Sequence, residues 1–201
     1  MISDRLKLLG LIDLLAVCAY GLLLPILPLF LIDQFYDSNI FNIALAYTFY
    51  LISMAGFSWI FRIFIEHGLS IVRIKLGLIA STLILAVMPI LYMYAKTMTD
   101  IYLIQIFIGM AFGIMKIAWH KLTHEKLTDT VSLEAFSHTR NLFTTFGLGI
   151  AAVLGGFIAY QYSYRPLLCL VFSFAFTSFA SSLIYIFTSE KKHKATKRPS
   201  H

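Results

Sequence analysis

The sequence predicts an all-α, polytopic membrane protein with six transmembrane helices. Hydrophobic residues make up 59% of its 201 residues and charged residues only 13%, which is about half the share found in soluble domains. Six apolar runs are each long enough to cross about 30 Å of hydrocarbon as a helix that rises about 1.5 Å per residue. These predicted spans cover residues 8–32, 43–65, 74–95, 101–122, 139–160 and 167–188.

The basic residues predict the orientation of the bundle. Six spans leave both termini on one side of the membrane, and of the 16 Lys and Arg residues only Lys96 and Arg165 fall on the other side. Because cytoplasmic segments are enriched in Lys and Arg, we expect cytoplasmic termini and a location in the plasma membrane. Residues 1–188 form the predicted bundle, and residues 189–201 a disordered, basic cytoplasmic tail. The basic residues show no interleaved aromatic face, so nucleic acid is not an expected partner.

Span four, residues 101–122, carries a lysine inside its apolar run. At about 100° per residue, its polar and small residues fall within one arc of about 80° on the helix. Those residues are Gln105, Gly109, Gly113, Lys116 and His120. Charged groups at membrane depth face the interior of a bundle, so this arc is expected to line a cavity or a tight helix contact. His120, with an ordinary pKa of about 6.5, is a candidate for proton transfer.

Charged and tyrosine side chains in the other spans suggest partners for this arc. Asp13 in span one lies at a depth comparable to that of Lys116. Either the two form an ion pair or a shared water network, or each extends separately to the membrane interface. Tyr20 and Tyr50 are further candidates to line a pathway, although tyrosines near a helix end also suit an aromatic belt. Arg140, like Arg62, falls near a predicted span end, where arginine usually extends to the interface or sets the topology.

Glycines and prolines recur at characteristic places in the spans. Span one contains LLLPILPLF, span four contains Gly109-x-x-x-Gly113, and span five contains a Gly155-Gly156 pair that precedes Tyr164-Arg165. Such small residues let helix backbones approach closely, so the four glycines are predicted packing sites. Together with the order of long and short loops, these features resemble the six-helix N-terminal half of the major facilitator superfamily.

The resemblance also implies a cytoplasmic gate between spans two and three. The residues nearest to the family's charged pattern there are Glu66 and Arg73, with altered spacing. In span four, Gln105 stands where the family pattern has an arginine, so proton-coupling roles tied to that arginine are not carried over.

For function, the resemblance implies secondary-active transport of a small-molecule solute, with or without a coupling ion. The candidate pathway residues are Asp13, Tyr20, Tyr50, Gln105, Lys116 and His120. Because family members have two six-helix halves, the chain is expected to act in the lipid bilayer as a homodimer or beside a second half. No cofactor, metal ion or enzymatic activity is expected. Two alternatives stay open: a non-transporting membrane subunit or lipid-handling protein and, from the spacing of His120 and His124, a membrane metalloenzyme.

Overall fold

The computed structural model describes residues 4–35, 38–127 and 130–196, and this part of the chain is α-helical apart from short connections. Seven helices follow one another within it: α1 Asp4–Leu23, α2 Leu27–Gln34, α3 Ile40–Glu66, α4 Ile71–Tyr94, α5 Met98–His124, α6 Thr130–Tyr162 and α7 Tyr164–Thr196. Six of these, all except α2, are long and apolar enough to cross a membrane, which is the architecture of an integral membrane protein. The predicted fold class, all-α with six apolar spans, is confirmed.

The first predicted span, 8–32, consists of two helices rather than one. Pro25 has no backbone N–H and cannot continue the hydrogen-bond ladder of α1, so the chain forms a turn between α1 and α2. Pro28 then lies in the first turn of α2, where proline is tolerated because that N–H has no helical partner in any case. The membrane-length segment of this region is therefore α1 alone, over Leu6–Leu23.

The predicted long loop at residues 123–138 is largely helical. Helix α5 ends at His124, and α6 begins at Thr130, well before the predicted start of span five at residue 139. Hydropathy marks only the part of a helix that suits lipid, whereas the backbone ladder continues into polar flanks that contain good helix formers. The segment Leu133-Glu134-Ala135 is of this kind.

Helix α7 likewise extends beyond its apolar run. It continues to Thr196, so residues 189–196 of the predicted disordered tail are helical, while residues 197–201 lie outside the described residues.

The helices pack in a pattern that repeats between the first three spans (α1, α3 and α4) and the last three (α5, α6 and α7). The second span of each set packs on the first span of the other, as α3 does on α5 and α6 on α1. The first span of each set also packs on the third span of the other set, as α1 does on α7 and α5 on α4. The two third spans, α4 and α7, pack on each other. A smaller contact between α6 and α7 has no counterpart of similar size in the described chain. Because each set has an odd number of spans, the two sets run in opposite directions through the bundle.

Glycines allow the two equivalent contacts, α3 with α5 and α1 with α6, to be close. A Cβ atom at Gly109 would overlap the carbonyl oxygen of Tyr50 on α3, and one at Gly113 would lie 2.6 Å from the carbonyl oxygen of Met54. On α6, Gly155 lies against the Leu22 carbonyl of α1 in the same way. Gly156 differs from its prediction, because a Cβ atom there would meet nothing within 4 Å. Only one glycine of the pair packs, since neighbouring residues point to different sides of a helix.

Helices α3 and α6 are the least covered spans. Only 17% of the apolar segment of α3 and 11% of that of α6 is buried, compared with 50% in both α1 and α5. Large apolar side chains project from them, among them Trp59 on α3 and Phe146 on α6. The centre of the bundle therefore lies along α1 and α5, and α3 and α6 flank it.

Candidate functional site

A buried ion pair joins α1 and α6. The Nε of Arg140 donates a hydrogen bond to Oδ2 of Asp13 over 2.7 Å. The side chain of Asp13 is 2% exposed and that of Arg140 22%, so the pair is largely withdrawn from solvent. Charged groups at such a depth in a membrane bundle are costly and usually mark functional positions.

The guanidinium of Arg140 is also held by aromatic rings. Its Cζ lies 3.9 Å from the centre of the Trp119 ring on α5, which places a planar cation on an indole face. Trp119 in turn stacks on Phe136 of α6, with ring centroids 5.9 Å apart and planes 5° from parallel. Arg140 therefore links three helices, α1, α5 and α6, and we call Asp13, Trp119, Phe136 and Arg140 the arginine cluster.

The structure pairs Asp13 with a residue that neither alternative for Asp13 and Lys116 had named. Asp13 is paired with Arg140 instead, and Lys116 is exposed on α5. The sequence placed Arg140 near the start of span five, but α6 begins at Thr130, so Arg140 lies about three turns inside the helix. That shift gives Arg140 the depth at which it can reach Asp13.

Lys116 shares its side of α5 with two histidines. His120 and His124 follow at four-residue intervals, all three residues are exposed, and the two imidazole centroids lie 4.7 Å apart. This polar stripe lies beside the arginine cluster, because His120 is close enough to Arg140 for their charges to interact. No group of three or more His, Cys, Asp or Glu side chains that could hold a metal ion occurs among the described residues. The metalloenzyme alternative therefore rests on the two histidines alone.

Tyr20 and Tyr50 meet in a second cluster, deeper in the bundle. Their rings stack with centroids 5.4 Å apart, and the Tyr20 ring also contacts the edge of Phe112 at 5.2 Å. Tyr47 extends the cluster along α3, with its ring 5.8 Å from that of Tyr50. We call these four side chains the tyrosine cluster; it brings together α1, α3 and α5.

Gln105 lies apart from the exposed stripe with which it was grouped. Its side chain is fully buried and faces the hydroxyl of Tyr92 on α4. The predicted polar arc of span four thus divides into three parts: a buried amide, two glycines pressed on α3, and the exposed stripe of Lys116 and His120.

The predicted gate residues are not paired with each other. Glu66 accepts a hydrogen bond of 2.8 Å from Nε of Arg62 one turn earlier in α3, at an exposed position. Arg73 is exposed in the first turn of α4. The helical spacing of four residues explains why Arg62 is the partner of Glu66.

Sequence reasoning missed four residues of these clusters, namely Arg140 as a buried partner, Trp119, Phe136 and Phe112, and it also missed Tyr92 beside Gln105. The signal available for Arg140 was the helix-forming stretch before it. This stretch lets the helix begin well before the arginine, so that Arg140 lies inside the helix and not at its end. Trp119 and Tyr92 lie among other apolar residues, and nothing in the helical periodicity separates them from ordinary core positions.

No family model matches the sequence, and no curated protein matches it. The geometry of the two clusters and the repeat in helix packing are therefore the grounds for a functional proposal.

Proposed function

We propose that this chain is a six-helix unit of a secondary-active transporter for a small solute. The observation that carries the proposal is the repeat in helix packing, in which two oppositely directed sets of three spans make equivalent contacts. Inverted repeats of this kind recur in secondary transporters, whose solute and ion sites lie near the repeat interface. Alternating access then arises when one part of the bundle moves against the other.

Both polar clusters lie where the two repeats meet. The arginine cluster joins α1 of the first repeat to α5 and α6 of the second, and the tyrosine cluster joins α1 and α3 to α5. The proposed pathway runs past these clusters and the stripe of Lys116 and His120. A buried ion pair at a moving interface suits a transporter, because a charged ligand can compete with either partner.

The uncovered face of α6 supports the presence of a second six-helix unit, as a second copy or another chain. A groove of about 630 Å³ runs along this face, and its lining includes exposed polar residues. These are His138, Asn141 and Thr145. Polar side chains within an apolar span are better satisfied by a protein neighbour than by lipid. The excess of basic residues on the side of the termini supports cytoplasmic termini in a plasma membrane.

Uptake into proteoliposomes tests transport. We would record solute-evoked currents and radiolabelled uptake for organic acids, amino acids and sugars, with and without a proton or sodium gradient. At least one class should be transported, and Asp13→Asn should abolish the transport, because it removes the partner of Arg140. Phe187→Leu, at a side chain on α7 that is 66% exposed, is the control and should transport normally. Equal transport by both variants would remove the arginine cluster from the pathway.

Cross-linking tests the second unit. A cysteine at Thr145, in a background with Cys18 and Cys169 replaced by serine, should form a disulfide-linked dimer in membranes if a second copy covers α6. A cysteine at Ile184, exposed on α7, is the control and should remain monomeric. Equal cross-linking at both positions would indicate random collisions rather than an interface.

A groove between α1 and α6 favours lipid handling as the second candidate function. It encloses about 290 Å³, with Lys7 and Arg140 among apolar side chains such as Leu11 and Phe143. Cationic and apolar groups in one groove suit an anionic lipid. Transbilayer movement of a fluorescent anionic lipid in the same proteoliposomes, without uptake of any soluble solute, would favour this function over solute transport.

A further inference from the structure

A small cavity lies inside the bundle, where α1, α4, α5 and α7 meet. It has a volume of about 20 Å³, and its lining is apolar except for two tyrosines. Tyr20 reaches it from α1 and Tyr92 from α4. This cavity is separate from the arginine cluster and adjoins the tyrosine cluster through Tyr20.

The hydroxyls of both tyrosines are buried and lack a hydrogen-bond partner. Each has a polar neighbour, Tyr50 for Tyr20 and Gln105 for Tyr92, that is close enough to interact electrostatically but lies outside the distance and angle of a hydrogen bond. The amide nitrogen and oxygen of Gln105 are buried and unpartnered as well. Gln105 does not line the cavity, but both tyrosines do. Because a buried hydroxyl without a partner is costly, the two hydroxyls call for a common partner.

A proline adds an acceptor beside the same cavity. Pro89 lies inside α4 and has no N–H, so the carbonyl of Leu85 loses the donor that an uninterrupted helix would provide. Leu85 and Pro89 both line the cavity. The cavity thus combines two hydroxyls, which can donate or accept, with a backbone oxygen that can only accept.

We propose that this cavity binds a water molecule that bridges the hydroxyls of Tyr20 and Tyr92 and donates to the carbonyl of Leu85. A buried water needs about 10–15 Å³ and two to four polar partners. The cavity has the volume, and the two hydroxyls and the Leu85 carbonyl are the proposed partners. A sodium ion suits the site less well, because no carboxylate lines it and an uncompensated charge at this depth is costly. The water fastens α1 to α4 at the point where Pro89 interrupts the α4 ladder.

A double-mutant cycle tests the bridge through thermal unfolding in detergent. Tyr20→Phe and Tyr92→Phe should each lower Tm by about 2–4 °C, because each removes one hydrogen bond to the water. The double variant should lose clearly less than the sum, since the first change already releases part of the bridge. Tyr94→Phe, on the same helix and 74% exposed, is the matched control and should leave Tm unchanged.

Each other result overturns the proposal in a different way. Additive losses would show that Tyr20 and Tyr92 bond separately to Tyr50 and Gln105. An unchanged or raised Tm in both single variants would show that the cavity is dry, because removing an unsatisfied hydroxyl is favourable. A Tm that falls when sodium is replaced by choline would identify a cation in place of water.

Discussion

The α3–α5 and α1–α6 contacts occupy equivalent places in the repeat but are held together by different chemistry. Between α3 and α5, Gly109 and Gly113 let the backbones touch, and hydroxyls bond across the contact. Ser53 donates to the carbonyl of Ile106 over 2.6 Å, and Ser58 donates to that of Gly113 over 3.3 Å. All of these groups are neutral. The α3–α5 contact is therefore insensitive to charge.

Between α1 and α6, glycine contacts accompany a charged one. Gly155 lies against the backbone of Leu22, while Asp13 and Arg140 form the buried ion pair nearer the start of α1. An ion pair depends on the charge of both partners and on what else can bind them, whereas a glycine contact depends only on shape. In the proposed transporter, α1–α6 is thus the contact that a solute or ion can alter, and α3–α5 is the fixed one.

Breaking the ion pair should give the largest effect. Asp13→Asn leaves the buried charge of Arg140 without its partner and should lower the free energy of unfolding by about 3–5 kcal/mol, or prevent folding. The double variant Asp13→Asn with Arg140→Met should lose less, because it removes the stranded charge. Unfolding by heat or SDS in mixed micelles, together with folded yield, measures the difference.

An exposed ion pair provides the control for this experiment. Arg62→Gln breaks the pair with Glu66, where both side chains are more than half exposed, and stability should stay the same. If the double variant at Asp13 and Arg140 were as unstable as the sum of the two single variants, the two charges would not be coupled.

A smaller loss of stability is expected when the neutral α3–α5 contact is changed. Gly109→Ala would force a methyl group into the carbonyl of Tyr50 and should cost about 1–3 kcal/mol. Gly156→Ala is the matched control on α6, where the methyl group meets no other helix and should stabilise by up to about 1 kcal/mol through helix propensity. The same unfolding assay compares the two variants. If Gly109→Ala stabilised the protein as much as Gly156→Ala, Gly109 would act through helix propensity alone, and close packing against α3 would not matter there.

Features that are signalled by a long stretch of sequence were predicted better than features that depend on a few residues. The six spans were predictable because about twenty apolar residues in a row have few alternatives to a membrane helix. Helix ends were not, since residues 123–138 and 189–196 are polar and a helix in water carries no hydropathy signal. The break at Pro25 was signalled by the proline itself, yet the apolar run continues across it and concealed the break.

The sequence predicted which residues belong to the candidate site better than it predicted which of them contact one another. Asp13, Tyr20, Tyr50 and His120 lie in or beside the two clusters, because charged and aromatic residues within spans are rare enough to stand out. Arg140 was not considered as the partner of Asp13, because its depth was judged from the hydropathy boundary of span five instead of from the true start of α6. Which two helices meet is a property of the packing, and a single sequence does not specify it.

The smallest effect is expected at Lys116, the residue first considered as the partner of Asp13. Lys116 is exposed on α5, and Asp13 already has Arg140, so Lys116→Met should change stability by no more than about 0.5 kcal/mol. In the double variant with Asp13→Asn, the two changes in the free energy of unfolding should sum to within about 0.5 kcal/mol, because the two residues share no contact. A coupling well above that value would mean that Lys116 reaches Asp13 when the protein is in a membrane. Repeating the cycle in nanodiscs as well as detergent distinguishes an effect of the bilayer from one of the bundle. In either medium, additivity would leave Lys116 and His120 as an exposed polar stripe that does not support the fold.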